Sequence, residues 1–239
     1  MAIISWKREE TVAVLSMDSG ENRQNPTFVE AFLGAMNAIE ADPEAHAVVI
    51  VSSDVKNWTQ GIDLGWIMTA FGDPARHDEI RGLFRGLNDM SARCLTYPMP
   101  VIAAITGHTY GYGVILACAC DFRFMRSDRR FFCLPEVDIN IPLLPGMQAV
   151  IEKAMPAYWF NEIYLTGRRV TGKELEQHHV VVKSCEGAEP LVKEAMAFAA
   201  TLHKGREVFG KMKRRKHRHI LEVFRNEDIP IIESLQLLP

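Results

Sequence analysis

The 239 residues contain no CxxC pair, no low-complexity linker, no internal repeat and no strong net charge. Each absence excludes something. The five cysteines (Cys94, Cys118, Cys120, Cys133 and Cys185) are odd in number and none has zinc-like spacing. The opening Met-Ala-Ile-Ile-Ser-Trp-Lys-Arg carries no secretory signal, so free thiols in a reducing compartment are expected. Cys118 and Cys120 would fall on different sides of a helix, which makes them packing residues rather than metal ligands, and no metal site is expected. Lys+Arg 27 against Asp+Glu 30 gives a formal charge of -3, with no excess that would by itself point to nucleic acid. Hydrophobic residues at 48% and charged residues at 24% exclude disorder, collagen and coiled coil. The stretch Cys94–Cys120 lacks Asp, Glu, Lys and Arg and is long enough for a membrane span. Pro98, Pro100, Gly107, Gly111 and Gly113 break it up, so it reads as buried strand, turn and helix start, and no membrane association is expected. The terminal Leu-Gln-Leu-Leu-Pro239 is not an S-K-L type peroxisomal address, which leaves the cytoplasm as the expected location.

A chain of 27.0 kDa is long enough for one large domain with a full core. The apolar, largely β-branched runs Thr11–Met17, Ala47–Val51 and Pro100–Ile105 read as strands, with shorter ones at Phe122–Met125, Arg130–Leu134 and Val180–Val182. Helices are expected from Pro26 to Glu40, Asp63 to Phe71, Ala75 to Leu95 and Val114 to Cys120, with mostly helical sequence after Pro145. Strands alternating with helices imply an α/β fold with a largely parallel core. Residues 200–239 form a separate helical region expected to pack outside that core. The small net charge hides a lopsided distribution. Residues 204–225 hold nine basic side chains against Glu207 and Glu222, a local +7 that leaves -10 for the rest.

Three segments could carry chemistry. Asn57-Trp-Thr-Gln-Gly-Ile-Asp-Leu64 and Thr106-Gly-His-Thr-Tyr-Gly-Tyr-Gly-Val114 each follow a buried strand with a glycine-bearing turn and a helix start. Glycine lets backbone approach a ligand, and free N–H groups at a helix start suit developing negative charge. Two such turns side by side could each give one N–H to a single oxyanion; spacing alone reads equally as two tight structural turns. In the third segment, Phe131-Phe-Cys-Leu-Pro-Glu-Val-Asp-Ile-Asn-Ile-Pro142, Glu136 sits among apolar residues. Desolvation would raise its pKa and suit it to proton transfer, or it is a carboxylate turned to solvent at a strand end. Asp138 would share its face in extended chain, or serve as a cap.

The order of these pieces resembles the crotonase superfamily, the enoyl-CoA hydratase/isomerase family, over nearly the whole chain. Thr59-Gln-Gly-Ile-Asp-Leu64 is similar to the family's S-x-G-x-D-L turn. Ala103-Ala-Ile-Thr-Gly-His-Thr-Tyr-Gly-Tyr-Gly113, ending in Ala117-Cys-Ala-Cys-Asp-Phe-Arg123, resembles A-A-[IV]-N-G-x-[AC]-x-G-G-G followed by A-L-A-C-D-[IFY]-R. Leu134-Pro-Glu-Val137 resembles the family's P-E strand. The resemblance implies a crotonase-like spiral of ββα units over residues 1–199 as the catalytic core, with the helical C-terminal region at 200–239. It implies an oxyanion hole from the backbone N–H groups of Ile62 and Tyr112, with Arg23, Thr59, Gln60, Gly61, Asp63, Leu64 and Gly111 as substrate-binding positions. Tyr112 stands where the family has glycine, so its phenol is expected to reshape the acyl pocket. Thr106 replaces the usual asparagine, and Gly65 stands where some relatives place a lysine.

The departure that matters most is Ile115. Hydratases of the family carry a glutamate there and a second at the position of Glu136. Hydration needs one group for the water and another for the carbon proton, whereas a lone Glu136 suffices for a 1,3-proton shift. The chain therefore resembles the 3-enoyl-CoA (Δ3,Δ2) isomerases, and Glu136-Val-Asp-Ile139 is especially similar to the peroxisomal type of plants. Dienoyl-CoA isomerases have an added aspartate where this chain has Leu144. The resemblance implies an acyl-CoA substrate, with coenzyme A as part of the substrate and no permanently bound cofactor, and a homotrimer or hexamer. Arg23 and the 204–219 cluster are the candidates for the phosphates of coenzyme A. Three alternatives are weighed beside isomerisation: enoyl-CoA hydratase-like or other acyl-CoA enolate chemistry, a non-catalytic acyl-CoA-binding relative, and RNA binding by Lys211–His219. That segment lacks the interleaved aromatics that stack on bases, so nucleic acid is the disfavoured partner.

Overall fold

The computed structural model describes residues 2–128 and 130–237. Met1 and the terminal Leu238-Pro239, at the ends of the two segments read above for targeting signals, lie outside them. The chain opens with an antiparallel pair, β1 (Ile4–Glu9) and β2 (Val12–Met17). Helix α1 (Pro26–Ala41) follows, capped by the Asn25 side chain, which accepts from the N–H of Phe28 at 3.0 Å, with Pro26 in its first turn. Next come β3 (Ala47–Ser52), β4 (Asn57–Thr59), α2 (Leu64–Phe71) and the long α3 (His77–Thr96). The pattern then repeats as β5 (Val101–Ile105), β6 (His108–Tyr110) and α4 (Tyr112–Ala119). It repeats again as β7 (Phe122–Arg126), β8 (Phe131–Cys133) and α5 (Pro145–Glu152). After α6 (Ala157–Thr166), β9 (Val170–Thr171), α7 (Gly172–Gln177) and β10 (Lys183–Cys185), the chain ends in α8 (Ala188–Ala200), α9 (Arg206–Val223), a π-helical segment Phe224–Asp228 and α10 (Ile229–Ser234).

Each repeat sends its first strand to one sheet and its second to another. The larger sheet has the order β1-β2-β3-β5-β7-β10, parallel except for the β1–β2 pair, and the smaller has the order β4-β6-β8-β9. This is the crotonase spiral of ββα units. Side chains alternate along the central strands: Leu15, Val48, Ile50, Ala103 and Ile105 face the main core, while Val12, Val49, Ile102 and Ala104 face α8. Covering on both faces explains why these strands are continuous apolar runs. The C-terminal helices send Ile220, Phe224, Ile232 and Leu237 into the main apolar cluster, so residues 200–237 share the core with the earlier elements instead of packing outside it.

Several expectations shift in detail. A first strand precedes the expected one, and β4 and β6 lie in the segments read as loop and turn. Helix α4 begins two residues earlier, at Tyr112. The late strand is Lys183–Cys185, because Val180 and Val181 are buried beneath α7, their N–H groups bonded to Leu175 O. Glu136 lies not in extended chain but on a 3₁₀ turn, Pro135–Val137, opened by Pro135. Asp138 therefore does not share a strand face with it.

The basic cluster is partly internal. Lys213 is buried, and its Nζ donates to Asp121 Oδ2 at 2.6 Å and to Cys94 O at 2.8 Å. Arg206 donates to the carbonyls of Glu40 and Ala45 at the end of α1. Removing one partner of a buried pair strands the other, at a cost of ~3–5 kcal/mol. Lys213→Ala should accordingly lower the unfolding free energy in urea by about 3 kcal/mol, whereas Arg215→Ala, at an exposed neighbour, should change it by less than about 0.5 kcal/mol.

Candidate active site

The three segments singled out above follow three adjacent parallel strands of the smaller sheet. Ile62 comes after β4, Tyr112 after β6 and Glu136 after β8, and the sheet order β4-β6-β8 puts their carboxyl ends side by side. Carboxyl ends of parallel strands are where open α/β sheets bind ligands. One cavity of about 770 Å³, counted to its open mouth, lies there. Its lining includes Gly61, Ile62, Gly111, Tyr112, Ile115 and Glu136.

The first two turns touch through backbone. Gly61 has φ +79°, and a Cβ there would come within 2.8 Å of Tyr110 O and 3.1 Å of Tyr112 N. A Cβ on Gly113 would meet Thr59 Cγ2 at 2.6 Å. Only glycine allows this approach. The segment after β2 straps the first turn: Gln60 N–H donates to Glu21 O, Gln24 N–H to Gly61 O and Asp63 N–H to Gln24 O, while Gly61 N–H is taken up by Thr59 Oγ1 at the end of β4. Among the described residues the N–H of Ile62 between them meets no protein acceptor. Tyr112 is the first residue of α4, so its N–H has no acceptor within the helix, and among the described residues none outside it. Two unpaired donors from adjacent turns border one apolar cavity, an arrangement suited to holding an oxyanion.

Glu136 lies beside them. A Cβ on Gly111 would come within 3.0 Å of Glu136 Oε1, so the turn at Gly111 leaves room for the carboxylate. Its Oε2 is buried and, among the described residues, has no hydrogen-bond partner. Burial pushes its pKa up to about 7, against a smaller lowering by a backbone N–H. It is the one carboxylate lining the cavity among the described residues. Glu136 also reaches a second hollow, on the far side of the loop Val137–Leu143, bordered by Tyr164 and Leu165. Ile115 and Leu144 are buried apolar wall, which puts hydrocarbon at both positions where a second acid was considered.

Arg23, Gln60, Leu64 and Gly111 line the cavity as well, and Arg23 pairs with Glu21 at 2.9 Å on the exposed rim. Thr59 and Asp63 do not line it. Thr59 is fully buried and holds the strap, donating to Asn22 O and accepting from Gln24 Nε2; Asp63 caps α2 by accepting from Trp66 N–H. No residue of the 204–225 cluster lines the cavity. The Tyr112 phenol points into α3, where its hydroxyl donates to Leu87 O and meets Ser91 Oγ at 2.9 Å, while the ring forms part of the wall. Phe84, Met147 and Leu237 complete the apolar lining from α3, α5 and the C-terminal segment. Nothing local in sequence marks these three, since they reach the cavity only through tertiary packing. Among the described residues no three His, Cys, Asp or Glu side chains converge as metal ligands, and no helix is long and apolar enough to cross a membrane.

Comparison with known proteins shows the family. The family model for enoyl-CoA hydratase/isomerase matches residues 7–226. The chain is 30% identical over 221 residues to enoyl-CoA delta isomerase 1, peroxisomal, of Arabidopsis thaliana, covering 90% of this chain and 89% of that one. It is 30% identical to the mitochondrial Delta(3,5)-Delta(2,4)-dienoyl-CoA isomerase of Homo sapiens over 79% of this chain and 59% of that one. The crystal structure of an enoyl-CoA hydratase from Mycobacterium ulcerans superposes with a TM-score of 0.85 at 22% identity, covering 97% of this chain and 98% of that one, which speaks to the fold alone. The chain belongs to the enoyl-CoA hydratase/isomerase family of the crotonase superfamily.

Proposed function

We propose that the protein is an acyl-CoA isomerase that shifts a 3-enoyl-CoA double bond to give 2-trans-enoyl-CoA. One observation carries this reading: among the described residues Glu136 is the single carboxylate of the cavity, with Ile115 in the wall. The thioester oxygen accepts from the N–H groups of Ile62 and Tyr112. Glu136, as carboxylate, takes a proton from C2, and the electrons move into a dienolate whose oxygen the two N–H groups stabilise. The same carboxyl returns the proton at C4, leaving the double bond between C2 and C3. A base with a pKa near 7 serves both halves, since it must accept and then release a proton. Hydration would require a second polar group to activate water, and isoleucine supplies none. The similarity to a peroxisomal enoyl-CoA delta isomerase supports the same reading. Arg23, on the cavity rim, is positioned as a contact for the phosphates of coenzyme A, which enters as part of the substrate.

Glu136→Gln keeps the shape and removes the base. Turnover of a 3-enoyl-CoA, followed by absorbance of the conjugated product, should fall by at least ~10³-fold while acyl-CoA affinity changes little; an unchanged rate would falsify the mechanism. Because the free enzyme must present Glu136 ionised, kcat/KM should rise with pH through an apparent pKa of about 7 and level off above it, and a flat profile from pH 5 to 9 would count against Glu136 as the base. The wild type should add water to crotonyl-CoA at a rate far below its isomerisation rate. Vigorous hydration would show that Ile115 does not separate the two chemistries.

A further inference from the structure

Helix α4 carries one of the two proposed oxyanion donors on its first residue, yet nothing local fixes that end. Its N-cap is Gly111, which has no side chain to accept from the first turn. The helix is eight residues long and apolar throughout, so no side-chain cap and no charge in its first turn fixes where it starts. Tertiary contacts do instead: Gly111 N–H donates to Cys133 O at 3.1 Å, Gly61 lies against the backbone of Tyr110 and Tyr112, and two more contacts hold the first turn of the helix itself. On one side Gly113 is pressed against Thr59 of the neighbouring turn. On the other, the Tyr112 phenol reaches into α3 and is held there by Leu87 O and Ser91 Oγ. The phenol has one proton, which it donates to Leu87 O, so Ser91 donates to the phenol oxygen. The side chain is buried at 2% exposure, and burial pushes its pKa far above the ordinary tyrosine range, which keeps it neutral and able to donate.

We propose that the Tyr112 side chain, clasped by Leu87 O and Ser91, is a positioning group that sets where its own backbone N–H points in the oxyanion hole. The inference rests on the acyl-CoA reading above and adds Ser91, a residue outside the cavity lining, to the machinery. The argument is mechanical. The donor and the anchor belong to one residue, so a shift of the phenol along α3 is a shift of the N–H relative to that of Ile62. A displacement of ~1 Å at a reacting centre is enough to cost ~10²-fold in rate. The bland alternative is that the ring only fills space beside Ile115, one helical turn on. Tyr112→Phe separates the two, since it keeps the ring and removes the clasp. It leaves no group stranded, because Ser91 Oγ can donate to Leu87 O within its own helix.

The test uses a chromophoric thioester, 4-dimethylaminocinnamoyl-CoA, whose absorption moves to longer wavelength as hydrogen bonds polarise its carbonyl. Bound to the wild type it should show a red shift. Tyr112→Phe should bind it within about threefold of the wild-type affinity but with a clearly smaller red shift, and should lower kcat for a 3-enoyl-CoA by ~10-fold or more with KM little changed. Ser91→Ala should move both readouts in the same direction by less, and the double variant should lose no more than Tyr112→Phe, as expected of one coupled clasp. Thermal melting of each variant checks that the fold persists. Wild-type red shift and kcat in a folded Tyr112→Phe would overturn the proposal and leave the isomerase reading standing. A wild type that shows the red shift but does not turn over a 3-enoyl-CoA would sink that reading, and the red shifts of the variants would still decide the role of the clasp. Absence of any red shift in the wild type would overturn both.

Discussion

The whole site depends on how closely two strand-to-helix turns approach each other. Gly61 lies so near Tyr110 and Tyr112, and Gly113 so near Thr59, that no Cβ fits between them. At Gly61 the contact is backbone against backbone, and at Gly113 it is made with the buried Thr59, through its methyl and its carbonyl oxygen. It brings together two N–H groups that α4 and the strapped turn leave without protein acceptors. An unpaired buried donor ordinarily destabilises a fold by ~1–3 kcal/mol. Here two such donors open on the same cavity, so an anion in that cavity would recover what folding leaves unpaired. The ββα repeat explains why the turns are neighbours at all: successive units place β4, β6 and β8 side by side, and each turn leaves its strand at the same end.

The same geometry sets the electrostatics. Helix α4 presents its positive end to the cavity, and its negative end is met by cations. Arg123 donates to the carbonyls of Ala117 and Cys120, and Lys153 Nζ donates to Cys120 O. Burial first, then the neighbouring Arg123, brings the Lys153 pKa down to about 8, so its charge is retained only at some cost. At the cavity end, among the described residues, the buried oxygen of Glu136 has no hydrogen-bond partner, and desolvation raises its pKa to about 7 against a smaller lowering by a backbone N–H. An acid with a strong ion-pair partner would be a poor base. Isolation in an apolar wall gives a carboxyl that ionises near pH 7 and loses little on being protonated again.

Much of this was legible before folding, and the failures have physical causes. Continuous apolar runs rich in β-branched residues identified β2, β3 and β5, because those strands are covered on both faces, and the short Phe122–Met125 identified β7. Strand β1 was missed because it is an edge whose Lys7, Arg8 and Glu9 face solvent, and edges carry polar residues. Strands β4 and β6 are three residues each inside glycine-bearing loops, too short for a period to show. The position of Glu136 after an apolar strand was visible, but its 3₁₀ turn was not, although Pro135 was a signal that extended chain would end. The phenol of Tyr112 could be flagged as out of place and no more. Its destination on α3 depends on packing between two helices that sequence cannot orient.

The basic segment shows where composition misleads. A local +7 looked like a reservoir of charge for phosphates, yet α9 turns Gly210, Lys213, His217 and Ile220 inward at intervals of three or four residues. Those intervals are the helical period and were present in the sequence, hidden because lysine and histidine do not register as core. Once inside, the charges must be accounted for. Lys213 is matched by Asp121, while His217 is driven neutral, its pKa brought down to about 3 by burial and then by Lys153, Lys216 and Lys213 around it. Arg206 is taken up by carbonyls at the end of α1. What remains for a partner is the outer face, where Arg214, Arg215 and Arg218 are exposed and, among the described residues, meet no carboxylate. None of them borders the cavity that holds Glu136. Arg23 is the cation that borders that cavity among the described residues, and the charges of α9 lie elsewhere on the surface.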